Sequence, residues 1–192
     1  MTQRPDLQGF VREVPDGEAI PLRELQTDPP YEIHLLADCG PLFVILLEDY
    51  WVSWSDSSGT QKGRRCADFA VVDVRRNNLV FLELRRTFVK EDHFHDKVEQ
   101  VKQTIDRFCY GQTPHGLAHH KAAVQIPNWQ SILEKHGVEV CLVPADRLKS
   151  RADLRDSIRA PNGHAIPVIT AGTVKQRSLR WSQVLRRLGW PA

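Results

Sequence analysis

Two acids and a base stand on either side of a short turn in the segment Arg64 to Arg86, RRCADFAVVDVRRNNLVFLELRR. Side chains alternate faces along a strand, so Phe81, Glu83 and Arg85 share one face of the second arm and Val80, Leu82 and Leu84 share the other. A hairpin centred on Arg76 and Asn77 sets Val74 opposite Leu79 and Asp68 opposite Arg85. Directly opposed residues point to the same side. Asp68, Arg85 and, diagonally, Glu83 then form one patch, and Asp73 turns away. A one-residue change of register exchanges the faces, so Asp73 is the reserve candidate. Two carboxylates this close repel each other unless a cation lies between them. Mg2+ takes oxygen ligands of this kind, with Mn2+ as its substitute. Such an ion activates water and stabilises negative charge on a phosphate, and a neighbouring cation adds to that stabilisation. This is chemistry suited to phosphodiester hydrolysis. Spacing alone is equally the pattern of a cross-strand ion-pair patch, with Asp68 and Glu83 meeting Arg64, Arg65, Arg85 or Arg86; such pairs contribute little.

The elements that must position these residues follow from pattern. Residues 42–54 are rich in β-branched and aromatic side chains and read as a strand. A polar loop spans 55–63, and further strands cover 66–74 and 79–87 around the turn at 75–78. Residues 91–110 read as a helix, since Phe94, Val98, Val101, Ile105 and Phe108 recur on one face. A strand at 121–126, a short helix at 129–136 and a strand at 138–143 follow. Before the first strand the pattern is ambiguous: 20–26 reads as one or two helical turns, and 31–39 as helix or strand. A meander followed by a crossover helix implies an α/β fold, a mixed sheet with helices packed on it.

Asp68, a hairpin and then Glu83-Leu84-Arg85, followed by a helix and a strand, resembles the PD-(D/E)XK nuclease superfamily over roughly residues 18–143. The resemblance implies a restriction-endonuclease-like mixed sheet flanked by helices. It also implies a Mg2+-dependent (or Mn2+-dependent) nuclease acting on DNA or RNA, with Asp68, Glu83 and the carbonyl of Leu84 as metal ligands. Family members often carry another acid on an N-terminal helix, where Glu24 and Glu32 are candidates. Some carry a glutamine on the following helix, where Gln100 or Gln103 matches. Arg85 stands where the family usually has lysine. Arginine supplies charge but effectively never loses its proton, and it prefers two-pronged pairing with carboxylates. The departure therefore leaves a second expectation: a catalytically silent module that binds nucleic acid or a partner protein. A structural subunit of a larger assembly is a third.

The formal net charge is only +2 over 192 residues, so any nucleic-acid site must come from how charge is arranged. The arrangement is uneven. The segment 147–192 holds ten Lys or Arg against two acids, Asp153 and Asp156. Composition, together with the resemblance, divides the chain into an N-terminal arm (1–17), a core that the resemblance makes nuclease-like (18–146) and a basic C-terminal extension (147–192) with a final helix at 179–188. Arg177, Arg180, Arg186 and Arg187, interleaved with Trp181 and Trp190, are the candidates for tracking a phosphate backbone. His93, His95 and Lys97, at the start of the helix after the motif, form a lesser phosphate-contact candidate, as do His119, His120 and Lys121. Cys39, Cys66, Cys109 and Cys141 are scattered, with no zinc-ligand spacing, and read as unpaired thiols. No nucleophile-elbow context surrounds Ser178 or Ser182. The N-terminus lacks the apolar core of a signal peptide, and the longest apolar run, Leu42 to Leu47, is too short to span a bilayer. The expected setting is cytoplasmic, without a membrane, with nucleic acid and a possible homodimer or protein partner.

Overall fold

The computed structural model of the chain describes residues 7–24, 31–50, 67–88, 91–108, 126–134, 138–148, 156–159, 163, 165–171, 174 and 177–192. After a short 3-10 turn (Leu7–Phe10), the strands are β1 (Val11–Val14), β2 (Ala19–Glu24), β3 (Tyr31–Leu36), β4 (Leu42–Leu46), β5 (Phe69–Asp73), β6 (Asn78–Phe88), β7 (Val138–Leu148), β8 (Asp156–Arg159), β9 (Ala165–Thr170) and β10 (Ser178–Arg180). The helices are α1, whose described residues are 47–50, α2 (Glu91–Phe108), α3 (Trp129–Glu134) and α4 (Trp181–Leu188). Among the described residues no helix is long and apolar enough to cross a membrane.

A seven-stranded sheet runs β1-β4-β5-β6-β7-β9-β8, and a three-stranded sheet runs β10-β3-β2. The large sheet is mixed: β1, β4, β5 and β6 pair antiparallel, while β6–β7 and β7–β9 are parallel. The central strands are covered on both faces. Ala70, Val72, Leu79 and Phe81 form one core with Val98, Val101 and Ile105 of α2 and with Trp129 and Ile132 of α3. Phe69, Val71, Val80 and Leu82 form the other, with Leu22, Ile33 and Leu35 of the small sheet and Trp181, Val184 and Leu185 of α4. The architecture is therefore helices, large sheet, then small sheet with a helix. Burial on both faces explains the near-continuous apolar run in β5.

Several sequence expectations change. Residues 20–24 and 31–36 are strands, paired as a hairpin from Ala19↔Leu36 to Glu24↔Tyr31. The small sheet needs a buried face, and Leu22, Ile33 and Leu35 supply it by alternation. The strand at 42 ends at Leu46, because the chain turns into α1 where the Leu47 and Glu48 N–H groups donate to the Asp68 carbonyl at 3.1 and 3.3 Å. Residues 51–54 and 121–125 lie outside the described residues. The boundary drawn at 146/147 falls inside β7, and β8, β9 and β10 pair into the two sheets. The basic segment is thus woven into the core, as is β1, which the arm at 1–17 contains. The final helix begins at Trp181 rather than 179, and it ends in a Schellman closure. There the Gly189 and Trp190 N–H groups donate to Arg186 and Leu185, with Gly189 left-handed at φ 82,.

The β5–β6 hairpin closes at Asp73↔Asn78, two residues from the expected register, so Asp68 lies opposite Glu83 rather than Arg85. Its turn is residues 74–77, with Asn77 left-handed at φ 50, a conformation asparagine tolerates,. At this end Asp73, buried on the small-sheet side, accepts the Trp181 indole N–H at 2.8 Å and the Arg76 guanidinium at 2.9 Å. Trp181→Phe keeps the ring packing but removes one donor to a buried carboxylate. It should lower stability by about 1–3 kcal/mol in urea unfolding; an unchanged midpoint would show that the bond contributes nothing.

Candidate acidic site

At the other end of the hairpin the two acids of the motif share the α2 face of the sheet. Asp68 directly precedes β5 and is 4% exposed; Glu83, on β6, is 0% exposed. The Leu84 N–H donates to Asp68 Oδ2 at 2.6 Å. Leu84 thus enters the site through its N–H. Its side chain points into the opposite core.

Helix α2 lays a polar stripe against this pair. Lys97, Gln100 and Thr104 recur at helical spacing beside the apolar Val98, Val101 and Ile105,. Lys97 Nζ forms an ion pair with Glu83 Oε1, and Gln100 Nε2 donates to both Glu83 oxygens at 3.2 and 3.3 Å. Thr104 accepts the Ala67 N–H at 2.7 Å. Lys97, weighed from sequence as a phosphate contact, meets Glu83 instead. Gln100, one of the two glutamines considered from sequence, is thus placed against Glu83.

Two further acids come from elsewhere. One carboxylate oxygen each of Glu24, Glu48 and Asp68 lie within 4.8 Å of one another. Glu24 ends β2 and is buried; Glu48 opens α1 and is half-buried. Glu24 therefore reaches the site from a strand of the small sheet, not from a helix. Glu32 does not reach it: on β3 it pairs with Arg23 at 2.5 Å and His34 at 2.8 Å. Glu48 is the acid that sequence reasoning missed. The signal was an acid directly after the apolar run 42–47, which a strand drawn through to 54 hides.

The electrostatics follow from burial. Asp68 is pushed well above the usual carboxylate range, first by loss of water and then by the charges of Glu83 and Glu24; Lys97 and the Leu84 N–H oppose this. Burial raises Glu83 to about 7, against the pull of Lys97. Burial disfavours the Lys97 charge, but Glu83 and Asp68 outweigh it, so Lys97 is held more firmly protonated than usual. Oxygen donors of this number and charge suit Mg2+ or Mn2+.

The Arg85 backbone lies on β6 next to an irregularity in the β6–β7 pairing between Arg85 and Thr87; its side chain lies outside the described residues, as do those of His93 and His95. Residues 119, 120 and 121 are also outside them. Asp73 is on the opposite face. Arg177, Arg180 and Arg186 are exposed and Arg187 is half-buried, on or next to β10 and α4. Trp181 of α4 touches Asp73, at the far end of β5 from Asp68, about 17 Å along the strand. Cys39 is a free thiol; Cys66, Cys109 and the Cys141 side chain lie outside the described residues. Comparison of the chain with protein-family models, with curated proteins and with solved structures gives no match.

Glu83 moves from 4.5 to about 7 on folding, so the native state holds its proton more tightly than the unfolded chain. The stability it contributes is complete below pH 4.5 and is lost as pH rises through about 7,. Asp68, raised as well, has the same sign. In EDTA the chain should be less stable at about pH 8 than at about pH 5, by on the order of 3 kcal/mol. Glu83→Gln should flatten that difference, as measured by denaturant unfolding across the range. A slope of opposite sign would contradict the burial argument.

Proposed function

We propose that the chain is a metal-dependent nuclease of the restriction-endonuclease-like kind, hydrolysing phosphodiester bonds in DNA or RNA. The observation that carries the reading is the meeting of Glu24, Glu48 and Asp68, three carboxylates from three separate elements, with Glu83 and its lysine beside them. Like charges gathered out of water are stabilised by a divalent cation, and these oxygen donors fit Mg2+ or Mn2+. The bound ion supplies a water of lowered pKa and positive charge at a phosphate.

The chain's own groups divide the rest of the work. Glu24, Glu48 and Asp68 would hold the ion, and the Leu84 N–H fixes the orientation of Asp68. Glu83 anchors Lys97 and keeps it charged. A lysine held firmly protonated acts as fixed positive charge beside a phosphorane, not as a base. It thereby covers the role that the resemblance assigns to residue 85, and Arg85 need not take part in proton transfer. The remote arginines 177, 180, 186 and 187 add salt-sensitive affinity for a phosphate backbone and take no part in hydrolysis.

The test is a cleavage time course on plasmid, single-stranded DNA and RNA across Mg2+ and Mn2+ concentrations. Asp68→Ala should abolish cleavage, and Lys97→Ala or Glu83→Ala should slow it about a hundredfold or more. Arg85→Lys should retain or improve it. Activity that survives EDTA and Asp68→Ala rules the mechanism out. An inert wild type with an active Arg85→Lys variant makes the chain a silenced nuclease, a binding module.

A further inference from the structure

The acids repel one another, so what holds Asp68 among them must be geometry rather than attraction. The backbone at Ala67 and Asp68 is gripped from two sides. The Asp68 carbonyl accepts two N–H groups from the start of α1. The preceding residue, Ala67, donates its N–H to Thr104 Oγ1 at 2.7 Å. The second grip comes from α2, the helix that also carries Lys97 and Gln100.

The Thr104 hydroxyl is well suited to that task. Its single proton is committed to the Gln100 carbonyl one turn earlier, at 3.1 Å, which leaves its lone pairs for Ala67. Thr104 is 1% exposed and Ala67 0% exposed, so little water reaches the pair to replace the bond. Nothing in core packing requires oxygen at this position, since valine has the same shape. We infer that Thr104 is a positioning residue: its hydroxyl locks α2 to the Ala67–Asp68 backbone and so holds the Asp68 carboxylate against Glu24 and Glu48 at ion-binding distance. The inference rests on the metal-site reading above.

The experiment is Mn2+ binding to the full-length chain, by calorimetry and by the electron paramagnetic resonance of free ion. Wild type, Thr104→Val, Thr104→Ser and Val101→Ala are compared. Thr104→Val should weaken Mn2+ about ten- to a hundredfold, as loss of a group that orients a ligand does, and Thr104→Ser should restore it. Val101→Ala removes core packing one turn earlier on the same helix; it should lower thermal stability while leaving Mn2+ affinity near wild type. Equal affinity in Thr104→Val and wild type overturns the inference and leaves the metal site standing. Equal weakening in Val101→Ala also overturns it, by showing a general packing effect. A wild type that binds no Mn2+ overturns the metal site, and the positioning role falls with it. Hydrogen exchange on the wild type keeps the question decidable if Thr104→Val does not fold: the Ala67 amide must be protected and must gain protection with Mn2+, and an amide that exchanges freely counts against the role.

Discussion

Taking a carboxylate out of water is costly unless its charge is met by donors, by a cation or by a proton. Asp68 and Glu83 are both withdrawn almost completely, side by side, and much of the structure can be understood as the answer to that cost. Glu83 receives an ammonium and an amide from α2, which fixes the rotation of that helix on the sheet. Asp68 receives the Leu84 N–H, and its carbonyl starts α1. The small sheet then closes over the opposite face of the hairpin and brings Glu24 to the same place. Adding a third and a fourth acid to a buried pair works against folding on its own account. An arrangement that destabilises the empty fold and suits a divalent ion has the character of a functional site.

Alternation made the faces of the hairpin legible. Glu83 with Phe81, and Val80 with Leu82, divide between the two cores as a period of two requires. Helix α2 was legible because its apolar residues return every three or four positions. The register was not, since β5 is buried on both faces and offers no polar alternation to index it. The expected pairing missed by two residues, an even number, so Asp68 and Glu83 still share a face. Strands β2 and β3 were hidden because short apolar runs fit helix and strand alike. Glu48 was hidden because an acid after the apolar run 42–47 fits the polar face of a longer strand as well as the start of a helix, and what ends the strand there is the carbonyl of distant Asp68. Glu24 required knowing that two sheets meet there, which is tertiary information.

The basic stretch teaches a different lesson. Charge counting separates 147–192 from the rest, yet β8 and β9 extend the large sheet and β10 extends the small one. Composition follows the solvated face of a segment, whereas membership of a core depends on a few inward residues such as Ile158, Ile166, Val168, Leu179 and Trp181. A handful of these suffices to bind a strongly cationic segment into a fold.

Strand β5 carries an aspartate at each end, Asp68 just before it and Asp73 as its last residue, directed to opposite faces. Between them Phe69, Ala70, Val71 and Val72 are all buried, and greasy residues of this kind slide past one another at little cost. A slip of two positions would carry each carboxylate about 7 Å along the strand, taking Asp68 off the Leu84 N–H and Asp73 off the Trp181 indole at once. Both would be stranded in apolar surroundings. The two aspartates therefore work like pins at the ends of an otherwise featureless slide: they select one alignment out of several that the hydrophobic effect alone would accept, and the end that carries the acidic cluster inherits its precision partly from an anchor on the far side of the molecule.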